Sequence, residues 1–219
     1  MSKQRYILLL VVMMVCTMGW AQRRLGRPEM YVGVHGGVMA STVRFSPAVA
    51  GMDLLQQPLG ANGGLVFRYA GHRVCAIQLE ANYMQRGWRE VGEGVDYRRQ
   101  LDYIEVPMLM HLYFGRELFR AFVNVGPQVG YCIRDLAIGN SNPKYSYQYE
   151  KIDNAFDWGA AAGLGIYYRT RKIGLFELEA RFNYSLGGAF KVSKMEHFEA
   201  ANHMNLSLNL AYLWEIKKR

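Results

Sequence analysis

The chain has 219 residues and a formal net charge of +8; 51% of its residues are hydrophobic, yet an ordinary 20% are charged. That length suits one domain, and no internal stretch reaches the roughly 20 consecutive apolar residues of a membrane-spanning helix. A basic chain suits phosphate-bearing partners, but the absence of any Lys/Arg block argues against nucleic acid.

Residues 1–21 read as an export signal. Lys3 and Arg5 precede the apolar run YILLLVVMMVCTM, and Gly19-Trp20-Ala21 offers the small residues of a cleavage site. An uncleaved anchor helix is the alternative. Cys16 is a poor lipidation site, because Val15 stands where a small residue belongs. Cleavage would leave a domain at residues 22–219 and lower the charge from +8 to +6. Export also makes a Cys75–Cys132 disulfide chemically accessible.

From residue 30 onward the pattern is two-residue alternation. Met30, Val32, Val34 and Val38 alternate with Tyr31, Gly33, His35 and Gly37; Leu65, Phe67 and Tyr69 alternate with Val66 and Arg68. Ile77, Leu79, Ala81 and Tyr83 alternate with Gln78, Glu80 and Asn82. The stretch LDYIEVPMLMHLYF, residues 101–114, also fits a helical stripe, but Pro107 inside a helix would cost about 3 kcal/mol. Read as a strand, it has one apolar face (Ile104, Val106, Met108, Met110, Leu112, Phe114) and one mixed face that includes Glu105 and His111. Segments 121–129, 156–168, 176–184 and 204–214 repeat the scheme.

Eight such segments, each about the 9–11 residues of a tilted membrane strand, predict an all-β fold: an eight-stranded antiparallel up-and-down transmembrane β-barrel with a filled polar lumen. Connections near 70–73, 115–118 and 169–174 are short, whereas those near 41–60, 85–100, 134–154 and 186–201 are long and polar. Short periplasmic turns alternating with long outer loops characterise outer-membrane barrels. Aromatics on the apolar face sort to the strand ends. Tyr69, Phe114, Phe119, Tyr168, Phe176, Tyr212 and Trp214 fall at the periplasmic rim; Tyr83, Tyr131, Phe156, Trp158 and Tyr184 fall at the outer rim.

The inward set supplies the candidate site. Arg68, Glu80, Glu105, Arg120, Gln128, Asp157, Glu177, Glu179 and Arg181 are expected to form a hydrogen-bonded lumen network, since buried charges must pair. Gly126, Gly159, Gly163 and Gly165 would make room for large polar neighbours. Hairpin geometry places Glu105 near Gln128, His111 near Phe122, Glu179 near Gly165 and Arg181 near Gly163. Cys75 and Cys132 fall on opposite faces and are expected to stay reduced. Pro107 removes a ladder hydrogen bond, so a bulge or break is expected there.

These segments resemble the PorT-like outer-membrane β-barrels of Bacteroidetes. The resemblance rests on YIEVPMLMHLYF (103–114), NVGPQVGY (124–131), FDWGAAAGLGIYY (156–168) and LEARFNYSLG (178–187). It implies an eight-stranded outer-membrane barrel, usually without an assigned activity, and admits a secretion complex as partner through the family's type IX secretion member. Tyr212 and Trp214 resemble the terminal signal read by the barrel-assembly machinery, although five residues follow.

Catalytic chemistry is not expected. The inward carboxylates read as salt-bridged filling, the five histidines lack metal-ligand spacing, and no cofactor motif is present. His203 and Ser207, four apart, keep open a lipid-modifying activity; a narrow pore is a further alternative. The expected working surface is the outer loops of a monomer. There Tyr145, Tyr147 and Tyr149 offer contact area or simply extend strands. Arg89 and Arg98, in a loop shared with Arg86, Arg99 and several acids, either meet lipopolysaccharide phosphates or form a solvated face.

Overall fold

The side-chain alternation becomes a closed wall. A computed structural model describes residues 24–46, 53–56, 59–72, 74–92, 95–116, 118–140, 155–170, 173–187 and 200–216. All regular structure among them is β-strand: β1 (Arg24–Ser46), β2 (Asp53–Gln56), β3 (Gly60–His72), β4 (Cys75–Gly92), β5 (Val95–Arg116), β6 (Phe119–Asn140), β7 (Phe156–Arg169), β8 (Leu175–Ser185) and β9 (Ala200–Glu215). Neighbours pair antiparallel in the order β4-β3-β1-β9-β8-β7-β6-β5, and β5 pairs back onto β4 to close eight strands. β2 is a short addition to the outer end of β4, from Asp53 opposite Val91 to Gln56 opposite Trp88. Closure gives each of the eight strands two hydrogen-bonded neighbours, as hydrocarbon demands of a sheet that crosses it.

Burial runs opposite to that of a soluble protein. Leu65, Leu164 and Leu210 are more than 60% exposed on the outer wall, while Arg68, Arg86 and His111 are fully buried inside. The wall can face acyl chains because the apolar parity is uninterrupted. Eight strands leave an interior just wide enough for side chains to fill.

The short turns are built economically. Gly115 and Gly174 adopt positive φ (117° and 135°), a region that disfavours a Cβ. In the β7–β8 turn the Thr170 hydroxyl donates to the Gly174 carbonyl at 2.7 Å and accepts from the Gly174 amide at 2.8 Å.

Two expectations from the sequence change here. The 85–100 segment is not a loop: β4 and β5 continue as a ladder from Arg86 opposite Leu101 to Gly92 opposite Val95. Parts of two other expected loops, residues 41–46 and 134–140, likewise lie on β1 and β6. The β5–β6 register lies two residues from the expected one, with Glu105 opposite Gly130 and His111 opposite Asn124. The physical reason is a tighter turn, since Arg116 already pairs with Phe119. The β7–β8 register is as read, with Gly165 opposite Glu179 and Gly163 opposite Arg181. Pro107 produces a break without a bulge: pairing with β4 lapses between Leu79–Met108 and Asn82–Glu105, yet resumes in unchanged register. The β5–β6 register shift lies higher, at Asp102–Tyr103.

Candidate functional site

The lumen is layered. At the periplasmic end Tyr31, Val66, Ala70, Ala76, Phe122, Tyr167, Leu175 and Leu213 pack into a buried plug. His111 stacks on Phe122 with centroids 4.6 Å apart and meets the edge of Tyr113 at 4.6 Å. His111 thus reaches Phe122 diagonally although its cross-strand partner is Asn124.

Above the plug, Arg68 on β3 donates to both Glu177 oxygens on β8 (2.5 and 2.7 Å) and to Gln78 at 2.7 Å. The next layer centres on Arg181. Its guanidinium donates to both oxygens of Glu80 (2.5 and 2.7 Å) and to Glu179 (3.1 and 2.7 Å). Glu80 also accepts from Gln78 and Asn82 at 2.5 and 2.8 Å. His35 lies 3.8 Å from Glu80 and hydrogen-bonds Asn82 at 2.7 Å. Asn124 donates to Glu179 at 2.9 Å and binds His111 at 2.6 Å. Gly163 is needed here, because a Cβ on it would run into the Glu179 carboxylate.

The outer layer belongs to Arg86. It pairs with Glu105, donates to Asp157 at 2.7 Å, and places its guanidinium carbon 4.7 Å from the Tyr103 ring centre. Ser185 donates to Asp157 as well. Gly130 separates Glu105 from Asp157, and its missing Cβ leaves space for the Glu105 side chain. Asn183 donates to Gln128 at 2.6 Å one layer below.

Eight of the nine residues assigned to the lumen network are therefore buried at 6% exposure or less. Arg120 is the exception. It sits half-buried at the periplasmic rim, 5.7 Å over the Tyr113 ring and outside the network, because its strand has only just entered the barrel. Arg86 is the reverse case: the charged composition around it reads as loop, yet it belongs inside. The inward parity of Gln78, Glu80, Asn82 and Met84, extended one step, is the signal that identifies it. The asparagines contributing to each layer are equally legible by parity but carry no charge to draw notice.

The girdle residues Tyr69, Tyr83, Phe114, Tyr131, Trp158, Tyr168 and Trp214 are exposed on the outer wall, and Tyr184 and Tyr212 are partly so. Cys75 and Cys132 are free thiols.

Beyond the barrel mouth, β2, β4, β5 and β6 rise as a sheet. The last β6–β7 pair is Tyr131–Phe156, yet β6 continues to Asn140. Arg99 grips Asp135 across this extension at 2.9 and 2.6 Å, and Ile133 and Ile138 are exposed on it. Arg89 and Arg98 stand directly opposite each other here, on strands and not in a loop. Tyr145, Tyr147 and Tyr149, like the export signal, lie outside the described residues. The His203 side chain is not described; Ser207 is buried and donates to the Arg181 carbonyl at 3.5 Å.

An inside-out barrel with an ion-paired lumen and aromatic rims has the architecture of an outer-membrane protein, and the sequence model of the outer membrane protein beta-barrel domain matches residues 20–191. The chain belongs to that family. OprG from Pseudomonas aeruginosa has a similar fold, with a TM-score of 0.53 at 15% identity, over 85% of this chain and 96% of that one. Ail, the attachment invasion locus protein of Yersinia pestis, gives 0.45 at 12% identity over 85% and 99%. Neisserial surface protein A gives 0.43 at 11% identity over 84% and 96%. No curated protein matches the chain in sequence. Membership of that family locates this barrel in the outer membrane.

Proposed function

We propose that this outer-membrane barrel is a sealed structural or binding element whose working surface is its outer end, and that it is neither a pore nor an enzyme. One observation carries the reading. Arg181 on β8 binds Glu80 on β4, and these strands lie on opposite sides of an eight-strand ring, four places apart. A guanidinium held across the full diameter, with the aromatic plug beneath it, blocks passage of hydrated ions. The same crowding denies a substrate access to the carboxylates. The sheet formed by β2, β4, β5 and β6 outside the barrel mouth offers contact area to lipopolysaccharide or to a cell-surface partner, and a monomer suffices for that role. The barrel-assembly machinery is the expected partner during insertion.

Planar-bilayer recordings test the sealed reading: the purified barrel is expected to give no unitary conductance, and regular conductance steps would refute it. Lipid A and phospholipid chains are expected to be identical in a deletion strain and its parent; altered chains would restore the lipid-modifying alternative. The PorT-like character of residues 103–114 and 156–168 favours a second reading, an accessory role in type IX-like secretion. That role predicts loss of secreted enzymes on deletion and co-purification with a secretion complex.

A further inference from the structure

Above the outer aromatic rim, the lipid-facing side of the wall continues onto the extension formed by β4, β5 and β6. At the rim Tyr83, Ile104 and Tyr131 lie side by side across these strands, and all three are exposed. Two residues higher on the same face, Asp102 of β5 stands opposite Arg134 of β6. Four residues higher again, Arg98 of β5 stands between Arg89 of β4 and Ile138 of β6. A strand rises about 3.3 Å per residue, so Arg134 lies just beyond the rim and the Arg89–Arg98 pair about 13 Å further along the strands. Acids return one step higher, where Asp53 and Asp96 both lie opposite Val91.

This band is basic and incompletely paired. Between the rim and the Arg89–Arg98 pair, Asp102 is the one acid on this face of the three strands. Asp102 is 2% exposed and accepts from Gln100 at 3.1 Å. Arg134 reaches it only at 3.9 Å, through a side chain that is 61% exposed. The buried Nε of Arg98 has no hydrogen-bond partner among the described residues. Like charges directly opposite on one face of a sheet destabilise it, and a buried donor without an acceptor adds to that cost. The inward face of the same strands is arranged the other way, with Arg99 held by Asp135 at 2.9 and 2.6 Å.

An anion between Arg89 and Arg98 relieves both costs. Phosphate suits the position, because a guanidinium donates two parallel hydrogen bonds to phosphate oxygens. The face itself indicates where the phosphate comes from. It is continuous with the wall that meets acyl chains, so a lipid packed against Ile104 and Tyr131 carries its headgroup up to Arg134. The headgroup layer of a bilayer adds only about 5–8 Å to each side of the hydrocarbon. Arg134 lies at that depth, whereas Arg89 and Arg98 lie above it, at a height that a headgroup built of several sugars reaches. We propose that Arg89, Arg98 and Arg134 bind phosphate groups of a phosphorylated glycolipid of the outer leaflet. The assignment rests on the outer end being the working surface and names the chemistry that surface takes up.

Two probes test the proposal on the purified protein in zwitterionic detergent, read by native mass spectrometry: a lipid-A-type glycolipid bearing phosphorylated core sugars, and the same glycolipid after enzymatic dephosphorylation. The phosphorylated form is expected to be retained about tenfold more strongly, as attraction of several basic residues to an anionic headgroup implies. The preference is expected to fall several-fold in the double variant Arg98→Gln/Arg134→Gln and to persist in Arg120→Gln, which removes a charge at the opposite end; heat-dependent gel mobility verifies folding. If the double variant does not fold, the wild type decides alone: the preference is expected to vanish as salt rises from about 0.05 to about 0.5 M, where screening is nearly complete. Equal retention of the two forms, a salt-independent preference, a folded double variant with unchanged preference, or an equal fall in Arg120→Gln would overturn the arginine site. Displacement of the glycolipid by equimolar inorganic phosphate would instead mark a free-anion site and overturn the lipid assignment. Either failure leaves the sealed lumen standing, because the planar-bilayer recordings judge that separately.

Discussion

The two ends of the lumen are filled by different chemistry. The periplasmic end is a plug of Phe122, Tyr167, Leu213 and their neighbours, held by apolar area and shape. The middle and outer layers are held by Arg68, Arg86 and Arg181, each fixed by carboxylates from other strands. A plug of aromatic and aliphatic side chains tolerates modest repacking, because its neighbours can shift to refill a small gap. An ion-paired layer does not, because removal of one partner leaves a buried charge uncompensated. The barrel thus combines a forgiving stopper with an unforgiving brace.

The largest effect is expected from breaking both at once. Phe122→Ala/Arg181→Ala removes the stopper and the diametric brace together; it is expected to give ion conductance in planar bilayers where neither single change does. A silent double variant would show that the outer Arg86 layer seals the lumen by itself. Next, Arg181→Met alone is expected to cost about 3–5 kcal/mol, since Glu80 and Glu179 lose their shared cation. Its signature is a lower temperature for the folded-to-unfolded gel mobility shift. A loss below about 1 kcal/mol would indicate that water or neighbouring amides compensate the carboxylates. Phe122→Leu in the plug is expected to cost less, about 1 kcal/mol, as a modest apolar change of shape, and the same gel assay ranks it against Arg181→Met. If Phe122→Leu proved the more damaging, the contrast between stopper and brace would be reversed. Smallest is Glu215→Gln at the rim, where a partly exposed pair with Arg169 contributes about 0–1 kcal/mol; denaturant midpoints should hardly move.

Parity makes most of the lumen legible. A strand in two environments must place its polar residues on one face, so Glu105 among Ile104, Val106 and Met108 points inward on pattern alone, and it is 1% exposed. Arg120 shows where parity stops being informative: it reports the side of the wall but not the depth, and Arg120 lies at the rim. Arg86 shows the opposite failure. The charged run from Arg86 to Arg99 has the composition of a loop, and composition misleads because strands that rise beyond the membrane have no apolar face to announce them. The β5–β6 register departs from expectation by two residues for a related reason, since turn length is set by local backbone geometry that many sequences share.

Hydrocarbon imposes a two-residue period and forbids open sheet edges. The order of residues was therefore enough to specify the closed eight-strand wall, its lipid-facing side, its aromatic rims and the polar filling. Which charges meet was settled only when the ring closed. Arg181 reaches Glu80 because β8 and β4 stand across the barrel, and Arg86 joins Glu105 to Asp157 because Gly130 lies between them. Such partners are fixed by shear and closure, which place strands distant in the chain at the same height, and alternation along one strand carries no information about either.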